Sequence, residues 1–113
     1  MQVIVIVLNK VECLEKLLEK FGETGVRGAT ILESRGMAHS LSEFSELSFM
    51  ASLRMLLDPE HQESKTIFAV VDDDQIETVS KAVNEVTGGL DKSDTGIMFA
   101  MPVSYTEGIG GKK

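Results

Sequence analysis

Glycines spaced along residues 25–37 are the feature of this chain that most suggests chemistry; the segment reads GVRGATILESRGM. They lie at both ends of a short predicted strand, in which apolar Ala29 and Ile31 alternate with polar Thr30. A glycine at the start of a strand lets a ligand or another backbone approach closely, and a glycine at its end permits positive φ. The segment therefore predicts a place where a ligand or a neighbouring backbone comes close to the chain.

The titratable residues do not form a catalytic set. His39 and His61 are the two histidines, and the carboxylates near them are Glu43, Glu46, Glu60 and Glu63. Such groups can bind a transition metal, but no tight metal-ligand spacing exists and no metal ligand is assigned. No Ser-His-Asp order, nucleophile elbow, Walker motif or dinucleotide fingerprint occurs. We therefore predict no catalytic residues and no enzyme activity.

Composition limits the class of protein. The 113 residues predict one domain over residues 1–113, with a flexible tail at 106–113. The net charge of −7 argues against binding to nucleic acid or to anionic lipid. No apolar run approaches the roughly 20 residues of a membrane span. One cysteine, Cys13, fits a reducing compartment, so we expect a cytoplasmic protein without membrane insertion.

Hydrophobic periodicity predicts four strands and two helices. The apolar runs predict strands at residues 3–8, 26–34, 66–71 and 97–103. Helical spacing predicts one helix between the first two strands and another between the last two, the second starting with a capping box at Asp74 and Glu77. The order β-α-β-β-α-β is typical of a ferredoxin-like α+β sandwich with an antiparallel sheet. Since the strands are apolar on both sides and the helices cover one face, we expect oligomerisation to bury the other.

An insertion at residues 37–65 separates the second and third predicted strands. It exceeds the roughly 12–15 residues of ordinary loops, and such segments are usually functional or disordered. Helical spacing predicts a helix over residues 41–57, whose apolar face could bind a partner protein. The candidate partner-binding residues are Phe44, Leu47, Met50, Arg54 and Leu57. Packing of this helix on the protein's own oligomer and binding at a membrane surface are the alternatives.

Residues 25–36 resemble the second strand of the PII signalling proteins, which follow the pattern G-[IV]-x-G-x-T-[VI]-x-E-x-[KR]-G. The resemblance extends over nearly all the chain, since residues 87–103 look like the family's B-loop and fourth strand. It implies compact trimers of ferredoxin-like subunits that bind ATP or ADP in clefts between neighbouring subunits. It also implies that the insertion is similar to the family's T-loop, which binds 2-oxoglutarate with metal at its base and docks on target proteins.

Carried onto this sequence, the resemblance implies a ligand site made of three short segments. The implied ligand-binding residues are Gly28, Thr30, Gly36, Met37, Asp94, Thr95 and Gly96. Backbone N–H groups exposed at glycines can hydrogen-bond phosphate oxygens. The candidate ligand is therefore ATP, ADP or another adenine nucleotide.

The chain departs from the family at its cations. Ile97 stands where the family has a lysine, and no arginine follows the fourth predicted strand. Lys92, Lys112 and Lys113 are the lysines that could substitute. The insertion has no tyrosine to accept a nucleotidyl group, and it lacks the family's glutamine after Gly36, so regulation by 2-oxoglutarate is not expected.

The leading hypothesis is a trimeric PII-like sensor of a small anionic ligand, which acts on an unidentified target protein through residues 37–65. The first alternative is a ligand-free interaction adaptor of the same fold, which rests on the missing cations. The second alternative is a metal-responsive trimer that uses His39, His61 and nearby carboxylates.

Overall fold

Four strands and two helices make up the part of the chain that the computed structural model describes, residues 1–37 and 63–109. Their bounds are β1 Gln2–Leu8, α1 Leu14–Thr24, β2 Thr30–Arg35, β3 Glu63–Val71, α2 Ile76–Thr87 and β4 Gly96–Pro102. A single 3-10 turn precedes each helix, at Val11–Cys13 and at Asp73–Gln75. Within the described residues, no helix is both long and apolar enough to cross a membrane.

The strands form one antiparallel sheet in the order β2-β3-β1-β4. β1 lies inside the sheet and pairs along its whole length, from Gln2 to Leu8, with both β3 and β4. The helices pack on one face of this sheet. The arrangement confirms the predicted ferredoxin-like α+β fold.

The core lies between the two helices and one face of the sheet. Alternate residues of β1, Ile4, Ile6 and Leu8, are fully buried there, as the two-residue period of a strand requires. The buried helix residues of the same cluster are Leu17, Phe21, Val79, Ala82 and Val83. The helices therefore pack on the sheet through residues three or four positions apart, which is the spacing that predicts a helix.

The opposite face of the sheet, which we call the open face, is apolar and partly exposed. Val5 is paired with Phe68 on one side and with Phe99 on the other, so these three side chains form one row. Phe99 is 44% exposed, and Met101 of the same strand is 46% exposed. The strands are thus apolar on both sides, as predicted, and burial of the open face by other subunits stays a prediction.

β2 begins four residues later than predicted, at Thr30 rather than Val26. Gly25 ends α1 with a φ of 92°, and the amides of Gly25 and Val26 both donate to the carbonyl of Phe21. Val26 is buried in the core as part of this helix end. Its apolar side chain therefore belongs to the termination of a helix and not to a strand.

The third strand is longer than predicted and the fourth is shifted by one residue. β3 begins at Glu63, ahead of the expected Thr66, because its first residues pair with the end of β2, as in Glu63 with Arg35. β4 covers Gly96–Pro102 instead of residues 97–103.

The capping box of α2 forms two residues earlier than predicted. Asp72 has an extended backbone, with φ −72° and ψ 155°, as an N-cap residue requires. Gln75 Oε1 accepts a hydrogen bond from Asp72 N at 3.0 Å. Asp74 already lies inside the 3-10 turn, so the predicted pair of Asp74 and Glu77 is wrong.

We expect Gly96→Ala to destabilise the fold, because Gly96 has a φ of 146° and an added Cβ would lie 2.5 Å from the carbonyl oxygen of Val7. Backbone strain of this kind costs about 1–3 kcal/mol. The control is Gly22→Ala in α1, where the added Cβ meets no atom within 4 Å and alanine stabilises a helix by about 0.5–1 kcal/mol. Urea unfolding measures both changes, and equal free energies of unfolding for the two variants would contradict this account.

Candidate functional site

A groove of about 640 Å³ lies at the sheet edge where β2 begins. Its lining includes Gly28 and Thr30 from the start of β2, Phe68 and Val70 from β3, and Ile109 from the C-terminal segment. Sites for small molecules typically measure about 300–1,000 Å³. The groove is therefore of the size that a small-molecule ligand needs.

The groove exists because β2 is shorter than the strand with which it pairs. Pairing of β2 with β3 starts at Thr30 and Phe68, whereas β3 continues to Val71. Among the described residues, no strand pairs with the outer edge of residues 69–71. An unpaired strand edge presents backbone N–H and C=O groups, so this edge offers a ligand both donors and acceptors.

Gln75 links the two sides of the groove at one end. Its Oε1 accepts from Asp72 N at 3.0 Å, and its Nε2 donates to Gly25 O at 3.4 Å. Asp72 directly follows β3, and Gly25 directly precedes residues 26–29. Gln75 therefore ties the end of β3 to the segment that carries Gly28, a contact that local sequence patterns do not reveal.

The Asp94–Gly96 part of the predicted site lies at the opposite edge of the sheet. Gly96 begins β4, the outer strand farthest from β2. Thr95 is 2% exposed, and its carbonyl accepts from Asn9 N at 3.0 Å and from Lys10 N at 3.2 Å. Asp94 has a φ of 59°. These residues form a fixed turn that enters β4.

One chain does not bring all the predicted site residues together. β2 and β4 are the two outer strands, three strand spacings or about 14 Å apart. Gly36 and Met37 follow the far end of β2, roughly 20 Å along the strand from Thr30. Gly28 and Thr30 share the groove, whereas the other predicted residues lie elsewhere. A second chain whose β4 edge faces this β2 edge would bring the two groups together.

Two cations that the sequence analysis did not consider lie near these segments. Arg27 lines the groove, and its position between Gly25 and Gly28 was a visible signal. Lys10 Nζ donates to Thr87 O at 2.8 Å, next to the loop that leads to Asp94–Gly96. This hydrogen bond joins residues that are 77 positions apart in the chain, so no local pattern indicated it.

The residues after β4 return to the groove. Val103 N donates to Met1 O at 3.0 Å, and Ile109 lines the groove together with Met1. Tyr105 Oη donates to Glu107 Oε1 at 2.7 Å, and this hydrogen bond to a carboxylate raises the pKa of Tyr105.

Several predicted functional residues lie outside the described part of the chain. They are the partner-binding residues Phe44, Leu47, Met50, Arg54 and Leu57, the helix predicted at 41–57, both histidines His39 and His61, and the lysines Lys112 and Lys113. Across residues 1–37 and 63–109, no group of three or more His, Cys, Asp or Glu side chains is placed to hold a metal ion.

Comparison with known proteins gives one family. The family model described as nitrogen regulatory protein P-II matches residues 1–113, the whole chain. No curated protein matches the chain.

We expect Gln75→Glu to remove one of the two hydrogen bonds that close the end of the groove. A carboxylate oxygen still accepts from Asp72 N, but it cannot donate to Gly25 O. The expected loss is about 0.5–1.5 kcal/mol in the free energy of unfolding, measured by urea denaturation. Gln75→Met, which loses both bonds, should be less stable still. If Gln75→Glu unfolds at the wild-type urea concentration, the link to Gly25 contributes nothing.

Proposed function

Because the chain belongs to the nitrogen regulatory protein P-II family, we propose that it is a trimeric sensor of an adenine nucleotide, ATP or ADP. The nucleotide binds in clefts between subunits, and the residues between β2 and β3 act on a partner protein. P-II proteins are regulatory proteins and not enzymes, which supports the absence of catalysis at the level of the family.

The division of the predicted site between the two sheet edges is the observation that carries this proposal. Gly28 and Thr30 line the groove beside β2, while the Asp94–Gly96 turn precedes β4 at the other edge. A ligand that contacts both groups requires two chains. Binding between subunits is therefore the arrangement that brings the Gly28–Thr30 segment and the Asp94–Gly96 turn to one ligand.

The chemistry of the groove supports binding of a planar base. The open edge of β3 at residues 69–71 offers backbone donors and acceptors in one line, which suit the hydrogen-bonding edge of a heterocycle. Phe68 and Val70 add apolar surface to the lining, and Thr30 contributes a hydroxyl. Adenine, which is flat and polar only at its edge, fits these properties.

The affinity for a nucleotide depends partly on how many cationic groups can contact its phosphates. Backbone amides in the 88–95 loop of a neighbouring chain can donate to phosphate oxygens, and Lys92 is an exposed cation in that loop. Ile97 occupies the position of the family's lysine. Each missing charge-assisted hydrogen bond forgoes about 1.5–3 kcal/mol. We therefore expect the phosphates to contribute less to binding than they would in a fully cationic cleft.

The open face supports a trimer as the working assembly. Its central row of Val5, Phe68 and Phe99 is apolar, and Ile97 and Met101 extend it along β4 with exposures of 58% and 46%. Leaving such a face in water is unfavourable by about 25 cal/mol per Å² of apolar area. Packing three sheets against one another removes this area from water and brings sheet edges of neighbouring chains together.

The connection between ligand and partner runs along β2. Thr30 at one end of β2 lines the groove, and Arg35 at the other end leads through Gly36 into the residues that we propose to bind the partner. A strand of six residues is short and hydrogen-bonded to β3 throughout. Occupancy of the groove can therefore bias the segment that follows β2 without a large rearrangement of the sheet.

A ligand-free adaptor of the same fold is the second candidate function. The sequence has isoleucine at residue 97 and no arginine among residues 103–113, so the phosphate-binding cations of the family are absent. In this alternative, the residues between β2 and β3 bind a partner protein, and adenine nucleotides do not bind.

We expect Ile97→Lys to strengthen ATP binding. Ile97 lies at the start of β4, directly after the Asp94–Gly96 turn, so the stem of a lysine can pack on the rim of the open face while its ammonium reaches the ligand side. One charge-assisted hydrogen bond to phosphate is worth about 1.5–3 kcal/mol. The dissociation constant for ATP should fall by roughly tenfold to a hundredfold. Isothermal titration calorimetry with ATP and ADP measures the change, and Ile97→Met serves as the uncharged control. Wild-type protein and Ile97→Lys that both bind neither nucleotide would leave the adaptor as the better account.

We expect Phe99→Asp to convert a trimer into monomers, because the new carboxylate would lie in the middle of the apolar open face. Light scattering after size exclusion should give three times the chain mass of 12.3 kDa for the wild type and the chain mass for the variant. Circular dichroism checks that the variant is folded. Lys16→Asp on the exposed side of α1 is the control and should stay trimeric. A wild-type protein of monomer mass would refute the proposed assembly.

A further inference from the structure

The two ends of the loop at residues 88–95, which joins α2 to β4, are both attached to one short segment of the chain. Asn9 and Lys10, which follow β1, donate their backbone amides to Thr95 O at 3.0 and 3.2 Å. The side chain of Lys10 reaches the other end of the loop, where its Nζ donates to Thr87 O at 2.8 Å. Lys10 therefore hydrogen-bonds to both ends of the loop, through its backbone amide at one end and its side chain at the other.

The ammonium of Lys10 suits the position that it occupies. Thr87 is the last residue of α2, and the carbonyls of a last helical turn lack partners within the helix. A cation at this end also interacts favourably with the helix dipole. The next residue, Gly88, has a φ of 91°, and a Cβ added there would lie 3.8 Å from Lys10 Nζ. The ammonium therefore packs directly where the chain leaves the helix.

Short-range hydrogen bonds hold the interior of the loop. Leu90 N donates to Asn84 Oδ1 at 2.8 Å and Lys92 N donates to Gly89 O at 3.2 Å. Gly89 N donates to Thr87 Oγ1 at 3.3 Å, and Thr95 Oγ1 donates to Ser93 O at 3.4 Å. Two consecutive glycines with positive φ start the loop, and glycine gives the backbone its greatest freedom. The attachments at the two ends add contacts to a segment far away in the chain, which the short-range hydrogen bonds do not supply.

We propose that Lys10 is a positioning residue for the 88–95 loop, holding the Asp94–Gly96 turn in the place where it can contact a ligand. The charge of Lys10 acts through Thr87 O and not through the ligand. The ligand part of this inference rests on the proposed function, whereas the ordering of the loop does not.

Amide hydrogen exchange of the ligand-free protein, followed by mass spectrometry, tests the positioning role directly. The variants are Lys10→Met, which keeps the length and loses the charge, and Lys10→Arg, which can still donate to Thr87 O. Lys16→Met on the exposed side of α1 removes the same charge elsewhere. We expect peptides covering residues 88–95 to exchange about tenfold faster in Lys10→Met. Peptides from α1 should be unchanged, and Lys10→Arg and Lys16→Met should behave as wild type.

Three results would overturn the inference. The first is an unchanged exchange rate of residues 88–95 in Lys10→Met, and the second is faster exchange throughout the protein in that variant. The third is exchange of residues 88–95 in Lys10→Arg as fast as in Lys10→Met. Calorimetry with ADP then tests the nucleotide sensor separately from the positioning role of Lys10. If wild-type protein binds ADP, the dissociation constant should rise about tenfold in Lys10→Met and return to the wild-type value in Lys10→Arg. Weaker binding with an unchanged loop would mean that Lys10 contacts the ligand itself, against the positioning role. No ADP binding by wild type would count against the nucleotide sensor only, and the exchange result would still decide the role of Lys10.

Discussion

The pairing of β1 with two strands at once is the constraint on which the rest of the structure depends. Residues 2–8 pair one by one with both β3 and β4, so a single register decides which face each side chain of three strands occupies. Both faces are apolar, and alternation of polarity therefore discriminates weakly between registers. The close approach of Gly96 to Val7 O helps to select the observed register, because only a residue without a Cβ fits opposite this part of β1.

The groove follows from how α1 ends. Gly25 ends the helix, the side chain of Val26 packs in the core, and the backbone joins the sheet only at Thr30. Three residues of β3 are left without a partner from β2. The way in which α1 ends thus leaves the groove open, leaves the backbone edge of residues 69–71 unpaired by β2, and places Gly28 and Thr30 in the lining.

Much of this fold could be predicted because its signals are local. The apolar spacing that predicted α2 comes from Ile76, Val79 and Val83, which lie in the core or pack against it. The start of β2 was missed because an apolar residue that closes a helix looks the same as one that begins a strand. The capping box was misplaced because three consecutive aspartates are equivalent until the backbone angles of Asp72 distinguish them. The separation of Thr30 from the Asp94–Gly96 turn, and the contact of Lys10 with Thr87, depend on strand order and on contacts across the whole chain.

Met1 and Ile109 line the same groove, which matters for anyone who purifies this protein. A peptide tag joined to Met1, or a few residues after Ile109, is tethered by a short stretch of chain to the proposed binding surface. A tethered peptide reaches an effective concentration in the millimolar range when its linker is short and flexible. A tag would therefore act as a built-in competitor for weak ligands. Protein from which every tag has been cleaved is the material whose affinities describe the groove itself.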